Sequence, residues 1–127
     1  MKTRLQAAVA VCAFALVFSG TLFAQVTVEA EIAESVVDRT PQNPGTAFPA
    51  DIGQVSAWSL VTGAEGTTIQ HVWIHGDLEF PVSLDIDGSP WRTWSTKVIP
   101  PEWSGAWRVE IRDTDGNVIE TLNFTIG

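Results

Sequence analysis

Cysteine is nearly missing from this chain of 127 residues. Its one cysteine, Cys12, lies inside an apolar run near the N-terminus. A lipoprotein signal would need a small residue where Val11 precedes it, so a lipid anchor is not expected. No cysteine follows residue 24, so nothing beyond that point can form a disulfide, and any fold there has to rest on packing. Basic side chains are also scarce, 7 against 15 acidic ones, for a net charge of −8. Such a surface repels phosphate backbones and anionic lipids, which argues against nucleic-acid binding. Sustained helical periodicity is absent after residue 25, as are internal repeats and low-complexity tails. Only two histidines are available as general bases, and no G-x-S-x-G elbow occurs. No nucleophile–base constellation can be assembled from these residues. Acidic residues are plentiful but scattered, and none of them marks a glycosidase-like pair.

The N-terminus is the one segment with a long apolar run. Met1-Lys2-Thr3-Arg4 is basic, Ala7 to Phe18 is apolar, and Ser19-Gly20 precedes Thr21-Leu22-Phe23-Ala24. That order matches a secretory signal peptide with cleavage after Ala24. The alternative is an uncleaved anchor, since residues 5–24 approach the length of a membrane span, although Gln6 and Ser19-Gly20 weaken it. Cleavage would leave residues 25–127 as one domain of 103 residues, with 5 basic and 15 acidic side chains and a net charge of −10. The expected location is exported, in the periplasm or outside a bacterial cell, with no membrane insertion once the leader is gone.

From residue 26 onward, alternation of apolar and polar residues dominates, as in half-buried strands. Val26, Val28, Ala30 and Ile32 open a strand reaching about Val37. Pro41, Pro44, Gly45 and Pro49 make residues 38–50 a loop. Strands are expected at 54–62, 68–75, 80–86, 91–98, 106–112 and 118–126, the last two joined as a hairpin around Asp113-Thr114-Asp115-Gly116-Asn117. Phe80, Val82, Leu84 and Ile86 should face inward, and Ser83, Asp85 and Asp87 outward. Pro100-Pro101 should stop the strand before them. About seven short strands with regular turns point to an all-β, immunoglobulin-like β-sandwich without a disulfide, or to a small barrel.

The chemistry that stands out is aromatic. Six tryptophans, Trp58, Trp73, Trp91, Trp94, Trp103 and Trp107, fall within fifty residues, with Arg92, Arg108 and Arg112 among or just after them. One reading is structural: indole rings bury large areas, and a guanidinium over an indole face adds roughly 0.5–2 kcal/mol. A Trp/Arg stack between strands would then take the place of the disulfide, and Arg92→Ala or Arg108→Ala would each cost roughly one to a few kcal/mol. The other reading is a binding platform of exposed rings with Arg or Lys heads beside them. Trp91 and Trp94 have opposite parity, so in an unbroken strand only one of them can face the core.

His71 and His75 lie four residues apart on an expected strand, about 13 Å from end to end, too far to share one metal ion. His71 reads instead as a partly buried histidine with a hydrogen-bond partner. Asp85-Ile86-Asp87-Gly88 and Asp113-Thr114-Asp115-Gly116 lack the further ligands and closing Glu of a calcium loop, and read as turns. No metal or cofactor is expected.

His71-Val72-Trp73, then Trp91-Arg92-Thr93-Trp94-Ser95 with Lys97, then Trp103-x-Gly105-x-Trp107-Arg108-Val109, resemble the bacterial family called domain of unknown function 2914. Val37-Asp38-Arg39-x-Pro41, Phe48 and the strand carrying Trp58 look like that family's opening segment. The resemblance implies an exported or membrane-tethered envelope domain and brings no activity with it. The reading that follows is a non-enzymatic binding or interaction module, with His71, Trp73, Trp91, Arg92, Trp94, Lys97, Trp103, Trp107 and Arg108 as candidate binding residues. Its partner would be an envelope saccharide or another envelope protein, met through a sheet edge or the proline loop. A hydrolytic enzyme of unknown type is the weaker alternative.

Overall fold

A computed structural model describes residues 25–127; the expected signal peptide lies outside the described residues. Nine strands and one short 3-10 turn follow one another. They are β1 (Thr27–Val37), β2 (Thr40–Pro44), β3 (Ala47–Phe48), β4 (Gly53–Thr62), β5 (Thr67–His75), β6 (Leu78–Ile86), β7 (Trp91–Ile99), the turn Pro101–Trp103, β8 (Gly105–Arg112) and β9 (Val118–Ile126). They form two sheets, ordered β2-β1-β4-β7 and β3-β9-β8-β5-β6. All pairs are antiparallel except β3 with β9. This is the immunoglobulin-like sandwich: β1, β4 and β7 stand where strands A, B and E of that fold stand, and β9, β8 and β5 where G, F and C stand.

The two extra strands come from the segment expected to be a loop, and this is the main correction to the sequence reading. Val37 pairs with Thr40, so Asp38 and Arg39 form a two-residue hairpin turn. Both take positive φ, 52° and 62°, as a turn matched to strand twist requires. The usual sequence mark of such a turn is Asn-Gly or Asp-Gly. Here an arginine holds the second position, so the hairpin leaves no signature. The prolines of β2 are tolerated because β2 is a sheet edge.

Elsewhere the alternation reads through. Phe80, Val82, Leu84 and Ile86 face the interior and Ser83 and Asp85 face out. The Asp113–Asn117 turn closes the β8–β9 hairpin, with the Asp113 carboxylate accepting bonds from the backbone N–H groups of Asp115 and Asn117, each 2.9 Å. These bonds hold that carboxyl below its usual range, the Asn117 backbone bond foremost. The core between the sheets is built from Ile32, Val55, Ala57 and Val61 on one side and Ile69, Trp73, Ile86, Val109, Ile111, Phe124 and Ile126 on the other. Apolar burial of this kind is the main driving force for a domain without cross-links.

Candidate functional site

The tryptophans and their neighbours separate by strand parity into an inner and an outer set. On β7 the inward row is Trp91, Thr93, Ser95, Lys97 and Ile99, and the outward row is Arg92, Trp94, Thr96 and Val98. Trp91 thus packs against the core while Trp94 points to solvent, as opposite parity demands. Gly88 permits the inner placement, since a Cβ there would meet the Trp91 ring at 3.0 Å.

At the centre of the inner set is a polar network rather than a stack. His71 on β5 is 0% exposed. Its Nε2 meets Ser59 Oγ of β4 at 2.8 Å, and its Nδ1 meets Ser95 Oγ of β7 at 2.8 Å. Trp73 Nε1 donates to the same Ser95 Oγ at 3.0 Å. A neutral imidazole has one donor and one acceptor, and two hydroxyls satisfy both. Burial away from water pushes the His71 pKa down to about 4. The ring therefore pins one sheet to the other in its neutral form. The expectation of partial burial with one partner understated this residue. Ser59 and Ser95 were not singled out, although each sits at inward parity among residues such as Ala57 and Val61.

Beyond Trp73 the aromatic packing continues to one end of the sandwich. Trp73 meets Phe124 edge-on, with centroids 6.1 Å apart, and Phe124 stacks on Trp107 at 6.2 Å. Trp107 stacks on His75 at 4.6 Å, and its Nε1 donates to the Trp103 carbonyl at 2.8 Å. Trp103 packs on Phe80 at 5.5 Å. Lys97 closes this end, its ammonium 4.3 Å from the Phe80 centroid and 5.4 Å from that of Trp103.

The expected Trp/Arg stack is not present: among the described residues no guanidinium lies over an indole, and the cation over aromatic rings is Lys97. The reason is parity. Arg108 and Arg112 fall on the outer face of the second sheet, where both bind Glu110: Arg108 Nε to Oε2 at 3.1 Å, and Arg112 Nη2 to Oε1 at 2.6 Å. The Arg112 hydrogen bond is the main cause that holds the Glu110 carboxyl below its usual range. Arg92 is exposed, and its guanidinium makes no hydrogen bond or ion pair among the described residues. Exposed pairs of this kind contribute little, so Arg92→Ala and Arg108→Ala are each expected to change the unfolding free energy by less than about 1 kcal/mol in urea titrations. A larger loss in either variant would show that its guanidinium is held by more than these contacts.

Of the nine candidate binding residues, His71, Trp73 and Trp107 are closed off from solvent. Trp91, Lys97 and Trp103 are half-buried in the inner packing, and Arg108 lies on the far sheet. Arg92 and Trp94 alone stand together on an open surface. Trp94 is 37% exposed and pairs across the sheet with Trp58, and Arg92 pairs with Leu60. Trp58 also points outward, yet the β1–β2 hairpin covers it: its Nε1 donates to the Arg39 carbonyl at 2.9 Å. Val98, 61% exposed, extends the outer row.

No curated protein matches the chain. The family model that does match begins after the opening segment with its β1–β2 hairpin and Trp58, and takes in the strands that carry the His71–Ser95 pair, the aromatic row and the exposed Arg92–Trp94 edge. Residues 66–126, the run from β5 to the end of β9, match the family described as Protein of unknown function (DUF2914).

Proposed function

We propose that this chain is a non-enzymatic interaction module of the cell envelope, and that it meets a protein partner on the β7 side of the sandwich. The observation that carries the proposal is the sorting of the indoles. Five are packed inward or covered, and Trp94 stands exposed on an edge strand with Arg92 and Val98 beside it. Tryptophan and arginine are the residue types that most often anchor protein interfaces. A saccharide platform would call for more than one open ring, and this surface offers one.

The buried histidine has no free nitrogen for catalysis, since both are engaged by serines. Two grooves of about 400 Å³ each run along β9, one against β1 and residues 44–46, the other against Ala106 and Trp107; neither is lined by His71. Export rests on the N-terminal leader pattern.

The test is photo-crosslinking in cells from a benzophenone side chain at position 94, with the same probe at Val118 on the other sheet as control. A discrete protein adduct from position 94 and none from position 118 is the expected result. Identical patterns from both positions, or protection of position 94 by soluble glycan fragments, would overturn the protein-partner reading.

A further inference from the structure

The two sheets have four edges, and three of them are guarded. β2 carries Pro41 and Pro44, β6 carries Pro81, and β3 is two residues long. Proline and short length are the ordinary means by which proteins keep sheet edges from pairing with other chains. β7 has neither. It runs nine residues without proline, and among the described residues it pairs on one side only, with β4. Its single guard is the inward-pointing Lys97, an arrangement that also protects edges. That side chain is drawn to the C-terminal end of the strand, over Phe80 and Trp103 and against the Val98 carbonyl at 3.3 Å. Residues 91–96 have no second strand partner among the described residues.

Charge indicates what would pair there. The described residues hold five basic side chains against fifteen acidic ones. Two of those five, Arg92 and Lys97, lie on β7, which has no acidic residue. A second copy pairing through its own β7 would bring the same Arg92 and Lys97 to the contact, and a basic segment would likewise meet like charge on the strand.

We propose that β7 receives an extended, acidic segment of a partner protein as an added strand, with backbone bonds along residues 91–96, the partner's acidic side chains near Arg92 and its apolar ones against Trp94. Strand addition draws affinity from main-chain hydrogen bonds and selectivity from alternate side chains. This inference rests on the interaction-module reading above and assigns its partner's chemistry.

The probe is a blocked ten-residue peptide repeating Thr-Glu-Thr-Val, so that one face carries Glu and Val two positions apart, as Arg92 and Trp94 are on β7; it is added to the full chain and followed by amide hydrogen exchange. Protection of β7 amides by about tenfold or more, with other edges unchanged, is expected, since strand addition closes free backbone groups. N-methylation at alternate peptide positions should abolish binding in one register set and leave it in the other. The Lys-for-Glu peptide should not bind. Arg92→Glu, with an unchanged melting temperature, should weaken binding about tenfold through like-charge contact.

No protection of β7, or equal binding by both N-methylated sets, overturns the added-strand proposal. If the adduct at position 94 forms while the peptide leaves β7 unprotected, the interaction module stands and the added strand falls. If the adduct is absent as well, both fall. If the full chain binds itself at β7 more tightly than the peptide, the occupant is a second copy and the acidic-segment assignment is wrong.

Discussion

Acidification from pH 7 to pH 4 is expected to lower the unfolding free energy by roughly 3 kcal/mol through His71 alone. The folded-state pKa of about 4 lies below the ordinary value of 6.5. Between those two values the unfolded chain binds a proton that the folded chain refuses. The contribution is therefore complete above about pH 6.5, declines as pH falls, and is gone near pH 4. The cause is geometric: the ring sits between the sheets, far from water, with a hydroxyl from β4 at one nitrogen and one from β7 at the other. Charging it would place an unshared cation in the core.

Glu110 and Asp113 also have lowered pKa values. Their ordinary values are 4.5 and 3.8, so the stability they lend is lost only below the upper part of the His71 window. Urea unfolding of wild type and His71→Gln at half-unit pH steps separates the two. The slope between pH 6.5 and 4.5 should be steep in wild type and nearly flat in the variant, whatever the variant's stability at pH 7. Equal slopes would place the titrating group elsewhere.

Trp73→Ala should cost about 3–5 kcal/mol, the range for removing a large buried aromatic side chain. Small domains are stable by only about 5–15 kcal/mol, so this variant should be partly unfolded at moderate temperature. The side chain is 0% exposed, lies edge-on to Phe124, and gives its N–H to the Ser95 hydroxyl that also holds His71. Its loss therefore leaves a void and removes a partner from a buried polar group. In the immunoglobulin sandwich the strand that β5 matches carries the core tryptophan, which packs on a disulfide in antibody domains. Here no disulfide exists, and the ring is held by a hydrogen bond across the sheets instead. Trp94→Ala, on the outer row of β7, should change stability by less than about 1 kcal/mol. If Trp73→Ala and Trp94→Ala were equally destabilising, the division between inner scaffold and outer surface would be wrong.

That division shows how far the linear pattern reaches. Period-two alternation follows from the pleat, so Phe80 to Ile86 and the opposite facing of Trp91 and Trp94 could be read from residue order. The Asp113–Gly116 turn could be read too, because its residues favour that backbone. The β1–β2 hairpin could not, since Asp38-Arg39 lacks the glycine that usually marks two positive φ angles. Nor could the staple be read correctly. Arg92 and Trp94 share one face of a strand, as a stack between neighbouring strands would need, yet that face points outward.

Residue order thus established an all-β domain without disulfides, most of its strand limits and the opposite parity of Trp91 and Trp94, because these depend on neighbours within a few positions. Which strands would lie against each other depended on the assembled sheets. Tertiary packing alone brought Ser59, His71 and Ser95 within bonding distance, laid Lys97 over Phe80 and left β7 as the least guarded edge. Contacts between residues 12 to 24 positions apart are set by how two sheets stack, and no local pattern encodes that.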